Sequence, residues 1–254
     1  MLFVFDLDGT LLNSKKEISQ ANKTALQKLH SLGHKIAIAT ARPPRSIDAK
    51  ISQLGIPSDN IYYNGALVRC ADGSGFSNSI DVDVFSEVVR LVAEKDKSAV
   101  LSIEENDRWF SSANFDFKTF YSVDEGPQII PESECLKKNP NKILLNSYSR
   151  TDYLKEAFGN TLNVLETDSK TLIQIMDKSA SKEKAISELS EKYGISDIYC
   201  FGDDHNDIGM FNYCSNPVAM GNAIPELKAT AKFVTDTNDK DGVAKFLVEH
   251  GILG

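Results

Sequence analysis

The chain has 254 residues, 41% apolar and 25% charged, enough for a sizeable core in one large domain or two modest ones. Its net charge of −8, with no block of Lys and Arg, argues against a nucleic-acid partner held through phosphates. No apolar run approaches the roughly 18 residues that span a bilayer, so no membrane association is expected.

Leu2 to Phe5 is a continuous apolar run, as in a strand buried on both faces. It lacks a basic lead, and Asp6 and Asp8 interrupt it, so it does not read as a secretory signal. Ser19 is placed to cap a helix carrying Ala21, Ala25, Leu26, Leu29 and Leu32, with Gly33 as its stop. KIAIAT predicts a second buried strand ending at Thr40, and Pro44 to Leu54 a helix closed by Gly55. IYYNGALV predicts a third strand that runs into an Asn-Gly turn. This βαβαβ order is that of a parallel sheet with covering helices.

The middle of the chain changes character. DVFSEVVRLVAEKD and TDYLKEAFG read as helices, and AVLSIEE, RWFSS, KILLNSY and TLIQIMD as strands. The turn signals ENDR and EGPQ favour pairing by hairpins. Residues 80–176 are therefore expected to form an α+β domain inserted into an α/β domain made of residues 1–79 and 177–254. Trp109 and Phe110 read as part of the insertion's core. The tail returns to α/β. SKEKAISELSEKYG predicts a helix, IYCFGDD a strand, NDIGMFNYC a helix and PVAMG a strand. IPELKATA, KFVTDT and DGVAKFLVEHG follow as helix, strand and helix. Cys70, Cys135, Cys200 and Cys214 are widely spaced with no CxxC pair, which suits a reduced cytoplasm better than a disulfide framework.

Three predicted strands end in chemistry: Asp6-x-Asp8, Thr40, and Gly202-Asp203-Asp204. Open parallel sheets bind ligands at the carboxyl ends of their strands. Asp6 and Asp8 share a side of an extended chain, and Asp203 and Asp207 are spaced to converge from a loop and the next helix. Clustered carboxylates repel unless a cation joins them. Oxygen-only ligands, few in number, favour Mg²⁺ over zinc or a full calcium cage. An EF-hand fails on spacing, since Gly9, Thr10 and two leucines follow Asp8. Lys182 adds positive charge from the first turn of a helix. With the Thr40 hydroxyl and the amides that follow it, Lys182 is a candidate to hold three phosphate oxygens. Each group alone has an ordinary explanation as a turn, a strand-end hydroxyl, a solvated lysine or a helix start. Together and in this order they point to phosphoryl transfer. His205 reads as solvated, and His30, His34 and His250 as surface residues.

DLDGTLL, ATAR, Lys182 and GDDHNDIGMF resemble, in order, the four motifs of the haloacid dehalogenase superfamily. The tail from AMGNAIPELK onward and Asn64-Gly65-Ala66 resemble its Cof-type hydrolase branch, in which an α+β cap lies between the second and third motifs. The resemblance implies a Rossmann-like core with that cap. It makes Asp6 a nucleophile that forms an aspartyl-phosphate, and Asp8 an acid and then a base. It implies Mg²⁺ on Asp6, the Asp8 carbonyl and Asp203, with Asp207 in or near its shell, and phosphate on Thr40 and Lys182. Arg42 and Asn206 carry over as substrate-side residues. Ala41 stands where the family usually has Gly, which is expected to narrow the phosphate cradle or change its backbone angles. The expected function is Mg²⁺-dependent hydrolysis of small phosphorylated metabolites, sugar phosphates first, by a cytoplasmic monomer or weak homo-oligomer. Phosphoglycolate, nucleotide or cofactor phosphatases and phosphomutases share the scaffold. A non-catalytic phospho-receiver is the alternative of a different class, but receivers are about half this length and lack the second Asp.

Overall fold

The computed structural model describes residues 1–119, 125–146, 148–167 and 172–254. Ser147 and Thr171, at the ends of two expected strands, lie outside the described residues. β1 (Leu2–Asp6) is buried along its whole length, as a continuous apolar strand must be. α1 (Gln20–Ser31) begins where the Ser19 hydroxyl accepts the Asn22 amide, and it buries Ala25, Leu26 and Leu29. β2 (Lys35–Ala39) and α2 (Pro44–Ile51) follow, the latter with proline in its first turn.

The expected third strand is in fact a hairpin. β3 (Asp59–Tyr62) ends in a 3-10 turn at Tyr63–Gly65, and β4 (Leu67–Arg69) returns antiparallel, pairing Val68 with Ile61. Tyr63, Asn64 and Gly65 all take positive φ, so the Asn-Gly signal reverses the chain instead of ending a strand. β5 (Gly75–Ser77) was not anticipated, being three residues with little burial and no apolar pattern.

The insertion builds its own sheet. α3 (Val82–Lys95) starts at Asp81, whose carboxylate accepts the Asp83 and Val84 amides. β6 (Val100–Glu105) and β7 (Arg108–Ser111) form a hairpin turned by Asn106 and Asp107, both at positive φ. β8 (Gln128–Ile129), α4 (Glu132–Cys135), β9 (Lys142–Asn146), α5 (Asp152–Phe158), β10 (Leu162–Thr167) and β11 (Leu172–Asp177) complete it. The strand order is β10-β11-β9-β6-β7-β8. Hairpin pairing holds for β6 with β7 and β10 with β11. β9 instead pairs with β6 and β11, and β8 joins β7 in parallel. Residue alternation sends Phe110 and Trp109 to opposite faces. Phe110 joins Phe85, Val88, Leu154 and Phe158 of the helix-covered core. Trp109 packs with Leu144 and Leu172, edge-on to Phe115 and Phe117, and donates its indole N–H to the Ser102 hydroxyl.

α6 (Lys182–Tyr193) starts from Ser181 and stops at Gly194, φ 63. β12 (Ile198–Gly202), α7 (Ile208–Tyr213), β13 (Asn216–Ala219), α8 (Pro225–Thr230), β14 (Phe233–Val234) and α9 (Gly242–Glu249) finish the α/β sheet. Its order is β14-β13-β12-β1-β2-β3-β4-β5, parallel from β14 through β3. The chain winds outward from β1 through β2 and β3, then outward on the other side from β12. The order therefore reverses between β1 and β12, where Phe5 stacks on Phe201 at 5.0 Å. The chain divides into two compact units, Met1–Phe76 with Ser181–Gly254, and Ser77–Ala180. The α/β core and α+β insertion expected from the sequence are the fold found. Among the described residues no helix is long and apolar enough to cross a membrane.

Replacing the Ser19 cap by alanine is expected to cost about 1 kcal/mol of stability. A lower urea midpoint with an unchanged denaturant slope would show it.

Candidate active site

Lys182, in the first turn of α6, is fully buried with its ammonium between two carboxylates. Its Nζ donates to Asp6 Oδ1 at 2.6 Å and to Asp207 Oδ1 at 2.7 Å. Burial works against the ammonium, but Asp207 and Asp6 outweigh it and hold the lysine charged. Burial, by contrast, pushes Asp6 well above the usual carboxylate range against the pull of Lys182. Asp207 is completely buried and its other oxygen, Oδ2, accepts the amides of Asp203 and Asp204. It thus fixes both the lysine and the loop that carries Asp203.

That loop packs against the first one. The Thr10 hydroxyl donates to Asp203 Oδ1 at 3.0 Å, and the Asn222 amide bridges the Gly9 carbonyl and Asp203 Oδ2. A Cβ on Gly9 would stand 2.0 Å from Asp203 Oδ2, and one on Gly202 would stand 2.6 Å from Asp207 Oδ2. Both glycines of DLDGT and FGDD therefore exist to let carboxylates approach. Burial, with the Asp207 charge beside it, lifts the Asp203 carboxyl to about 7. Asp6, Asp203 and Asp207 offer oxygens within 4.8 Å of one another. The donors are all hard oxygens and negative charge exceeds the single ammonium, so the set fits a hard divalent cation.

Asp8 lies outside that cluster. Its carboxylate takes the Arg42 fork, Nε to Oδ2 at 2.6 Å and Nη2 to Oδ1 at 2.7 Å, and Lys16 Nζ on Oδ1 at 2.8 Å. Burial opposes the charge, but these two cations win and hold Asp8 below its ordinary range. Arg42, expected on the substrate side, is thus found on Asp8. Thr40 is buried at the end of β2, its hydroxyl accepting the Arg42 amide and its carbonyl accepting the Asn64 amide. Ala41 takes no positive φ, so the backbone there does not require glycine. Asn206 donates to Asn64 Oδ1 at 3.2 Å, which joins GDDHND to the β3–β4 turn. The next residue in that turn, Gly65, has φ 107, and a Cβ there would lie 2.2 Å from the Ser181 carbonyl. The Asn-Gly turn thereby seats the start of α6 and with it Lys182.

Sequence reasoning missed the holding roles of Asn222, Lys16 and Asn64. Asn222 and Asn64 stand inside stretches that carried the family resemblance, which is a usable signal. Lys16 is a half-exposed lysine in a run of polar residues and carries none.

A sequence model of the haloacid dehalogenase-like hydrolases matches residues 3–247. This chain belongs to that family. The 5-amino-6-(5-phospho-D-ribitylamino)uracil phosphatase YwtE of Bacillus subtilis (strain 168) is 31% identical over 279 residues, covering 95% of each chain. The crystal structure of TM0651 from Thermotoga maritima has a TM-score of 0.87 at 27% identity, over 98% of this chain and 96% of that one. BT4131, described as a subclass IIB sugar phosphatase, has a TM-score of 0.81 at 26% identity, over 99% of both chains. The family and the class of enzyme expected from the four motifs are therefore the ones found: a haloacid dehalogenase-like hydrolase among phosphatases.

Gly65→Ala is expected to strain the turn by about 1–3 kcal/mol and to displace Ser181. Loss of stability together with loss of phosphatase activity would show that the two are tied through α6. Asp203 supplies a pH test. Its folded value near 7 exceeds the unfolded 3.8, so the folded state binds the extra proton between those limits. Chelator-treated protein should therefore lose stability as pH rises from about 4 to 7. Asp203→Asn should reduce that slope, with Asp6 supplying what remains, as read by melting temperature against pH.

Proposed function

We propose that the protein is a Mg²⁺-dependent phosphatase of small phosphorylated metabolites, with sugar and sugar-alcohol phosphates foremost, acting through an aspartyl-phosphate on Asp6. The observation that carries this reading is the buried Asp6–Lys182–Asp207 arrangement at the reversal of strand order, beside Asp203. Lys182 occupies Asp6 Oδ1, leaving Oδ2 to attack phosphorus as the bond to the leaving oxygen breaks. Asp8 must enter this step protonated, against the preference that Arg42 and Lys16 give it for the ionised form, and it gives that oxygen its proton. It then takes a proton from the water that attacks the aspartyl-phosphate, releasing phosphate and regenerating Asp6. Thr40, Ala41, Lys182 and Asn206 are assigned to the phosphoryl group. Mg²⁺ on Asp6, Asp203 and the Asp8 carbonyl, with Asp207 behind them, would neutralise charge on that group.

The substrate class rests on what relatives are named for. YwtE acts on a phosphorylated ribityl chain and BT4131 on sugar phosphates, both monoesters of polyhydroxylated carbon chains. All the assigned residues lie outside Ser77–Ala180, which leaves that unit to select among leaving groups. The four described cysteines are buried and free, which supports a reducing cytoplasmic setting.

Asp6→Asn should lower turnover at least about a thousandfold, as removal of a covalent nucleophile does. Acid-quenched wild-type protein should carry an acyl-phosphate that the variant lacks, and excess chelator should stop turnover. Undiminished hydrolysis in either case rules the mechanism out.

A further inference from the structure

The Asp8 carboxylate is held from two sides in a way that its proposed chemistry does not by itself require. Arg42 places two parallel N–H groups on its two oxygens, the arrangement that fixes the plane of a carboxylate as well as its position. Lys16 reaches Oδ1 from a separate segment. The backbone of each partner is held. The Arg42 amide donates to the Thr40 hydroxyl, and the Arg42 carbonyl accepts the Tyr63 amide. Lys16 sits at φ 60, its amide bonded to the Asn13 carbonyl and its own carbonyl taking Lys50 Nζ at 2.6 Å. Three chain segments therefore converge to orient one half-exposed carboxylate.

We propose that Arg42 is a positioning residue for proton transfer: its guanidinium, helped by Lys16, sets the orientation of the Asp8 carboxylate instead of binding the phosphoryl group. This rests on the assignment of Asp8 as acid and base made above. The two oxygens are not equivalent. Among the described residues, Oδ1 accepts from two donors, Arg42 Nη2 and Lys16 Nζ, whereas Oδ2 accepts from one, Arg42 Nε. Oδ2 keeps the open lone pair and is the oxygen through which the proton passes. The hydroxyl of Thr40, assigned to phosphate, accepts the backbone amide of the same Arg42. One short turn thus sets both where the phosphoryl group sits and how the acid is aimed. Orientation of a reacting group to this degree is worth rate without any new contact to substrate.

The test separates an acid-positioning role from a phosphate-binding one. Full-length wild type, Arg42→Ala, Asp8→Asn and the double variant are assayed for phosphoenzyme formation in single turnovers. The substrates run from p-nitrophenyl phosphate, whose leaving group needs no proton, through phenyl phosphate to glucose 6-phosphate. Arg42→Ala should lose less than about tenfold on p-nitrophenyl phosphate and about a hundredfold or more on glucose 6-phosphate, the range of general acid catalysis. In the Asp8→Asn background the same substitution should cost less than about threefold, because its effect runs through Asp8. Added guanidinium ion should restore part of the alkyl rate to Arg42→Ala. Arg42→Lys, which keeps the charge but not the fork, and Lys16→Gln should show the same leaving-group trend more weakly, and they carry the test if Arg42→Ala does not fold. Equal losses on all substrates, or a full loss that persists beside Asp8→Asn, would overturn the proposal and put Arg42 on phosphate. If Asp8→Asn itself shows no dependence on the leaving group, the earlier assignment of Asp8 falls and this proposal with it. If Asp8→Asn shows that dependence and Arg42→Ala does not, only the positioning role is lost.

Discussion

One ammonium buried between two buried carboxylates governs the α/β unit. Lys182 ties β1 to α6 through Asp6, and α6 to the lead-in of α7 through Asp207. Charges removed from water this completely persist only when each has a partner at hydrogen-bond distance. Removing the lysine would strand two carboxylates in an apolar setting, a loss on the order of 3–5 kcal/mol. Much of the local detail follows from seating this group. Ser181 starts its helix, the two amides on Asp207 hold the loop, and Gly65 and Gly202 clear space for a carbonyl and a carboxylate.

The same grouping is electrostatically incomplete, and the incompleteness suits its chemistry. Asp6, Asp203 and Asp207 together carry more negative charge than Lys182 balances, and Asp203 responds by holding its proton up to about pH 7. A site built only for stability would remove the excess. Here it is kept where two apolar strands, β1 and β12, end side by side and cannot swing away. Asp8, two residues further, leaves this field for one of opposite sign made by Arg42 and Lys16. Two carboxylates on one short motif are thereby given unlike surroundings, but burial raises the proposed nucleophile and two cations lower the proposed proton carrier, so these fields alone oppose the division of roles. A divalent cation on Asp6 and Asp203 would favour the ionised nucleophile.

Most of the architecture was legible because the core strands are continuous apolar runs and the helices carry clear starts and stops. What escaped has physical reasons. The Asn-Gly turn after β3 was legible, but β4 did not read as a separate returning strand, because Leu67–Arg69 is only three residues long and continues the apolar run of β3. β5 and β8 are two or three residues long and partly exposed, so no period can form. The position of β9 between β6 and β11 is a non-local pairing, which alternation cannot specify. In the site, Asp6, Thr40, Lys182, Asp203 and Asp207 stood out because each closes a strand or opens a helix. Arg42 was noticed, but its partner was not, since a long side chain on a turn can reach in several directions. Lys16 had no pattern at all.

Ser181 bears on how the chain can change over time. It is the first residue after the inserted unit, and it caps the helix whose next residue is Lys182. Its carbonyl also faces the bare side of Gly65. The downstream joint between the units is thus flush with the machinery, and a single added residue there would move the lysine out of register. The upstream joint, at Phe76 and Ser77, carries none of the assigned residues and lies on a short, partly exposed strand. A foreign insert grafted onto this scaffold has one rigid splice and one permissive one, so of the two joints the leading one is the place to absorb an added residue.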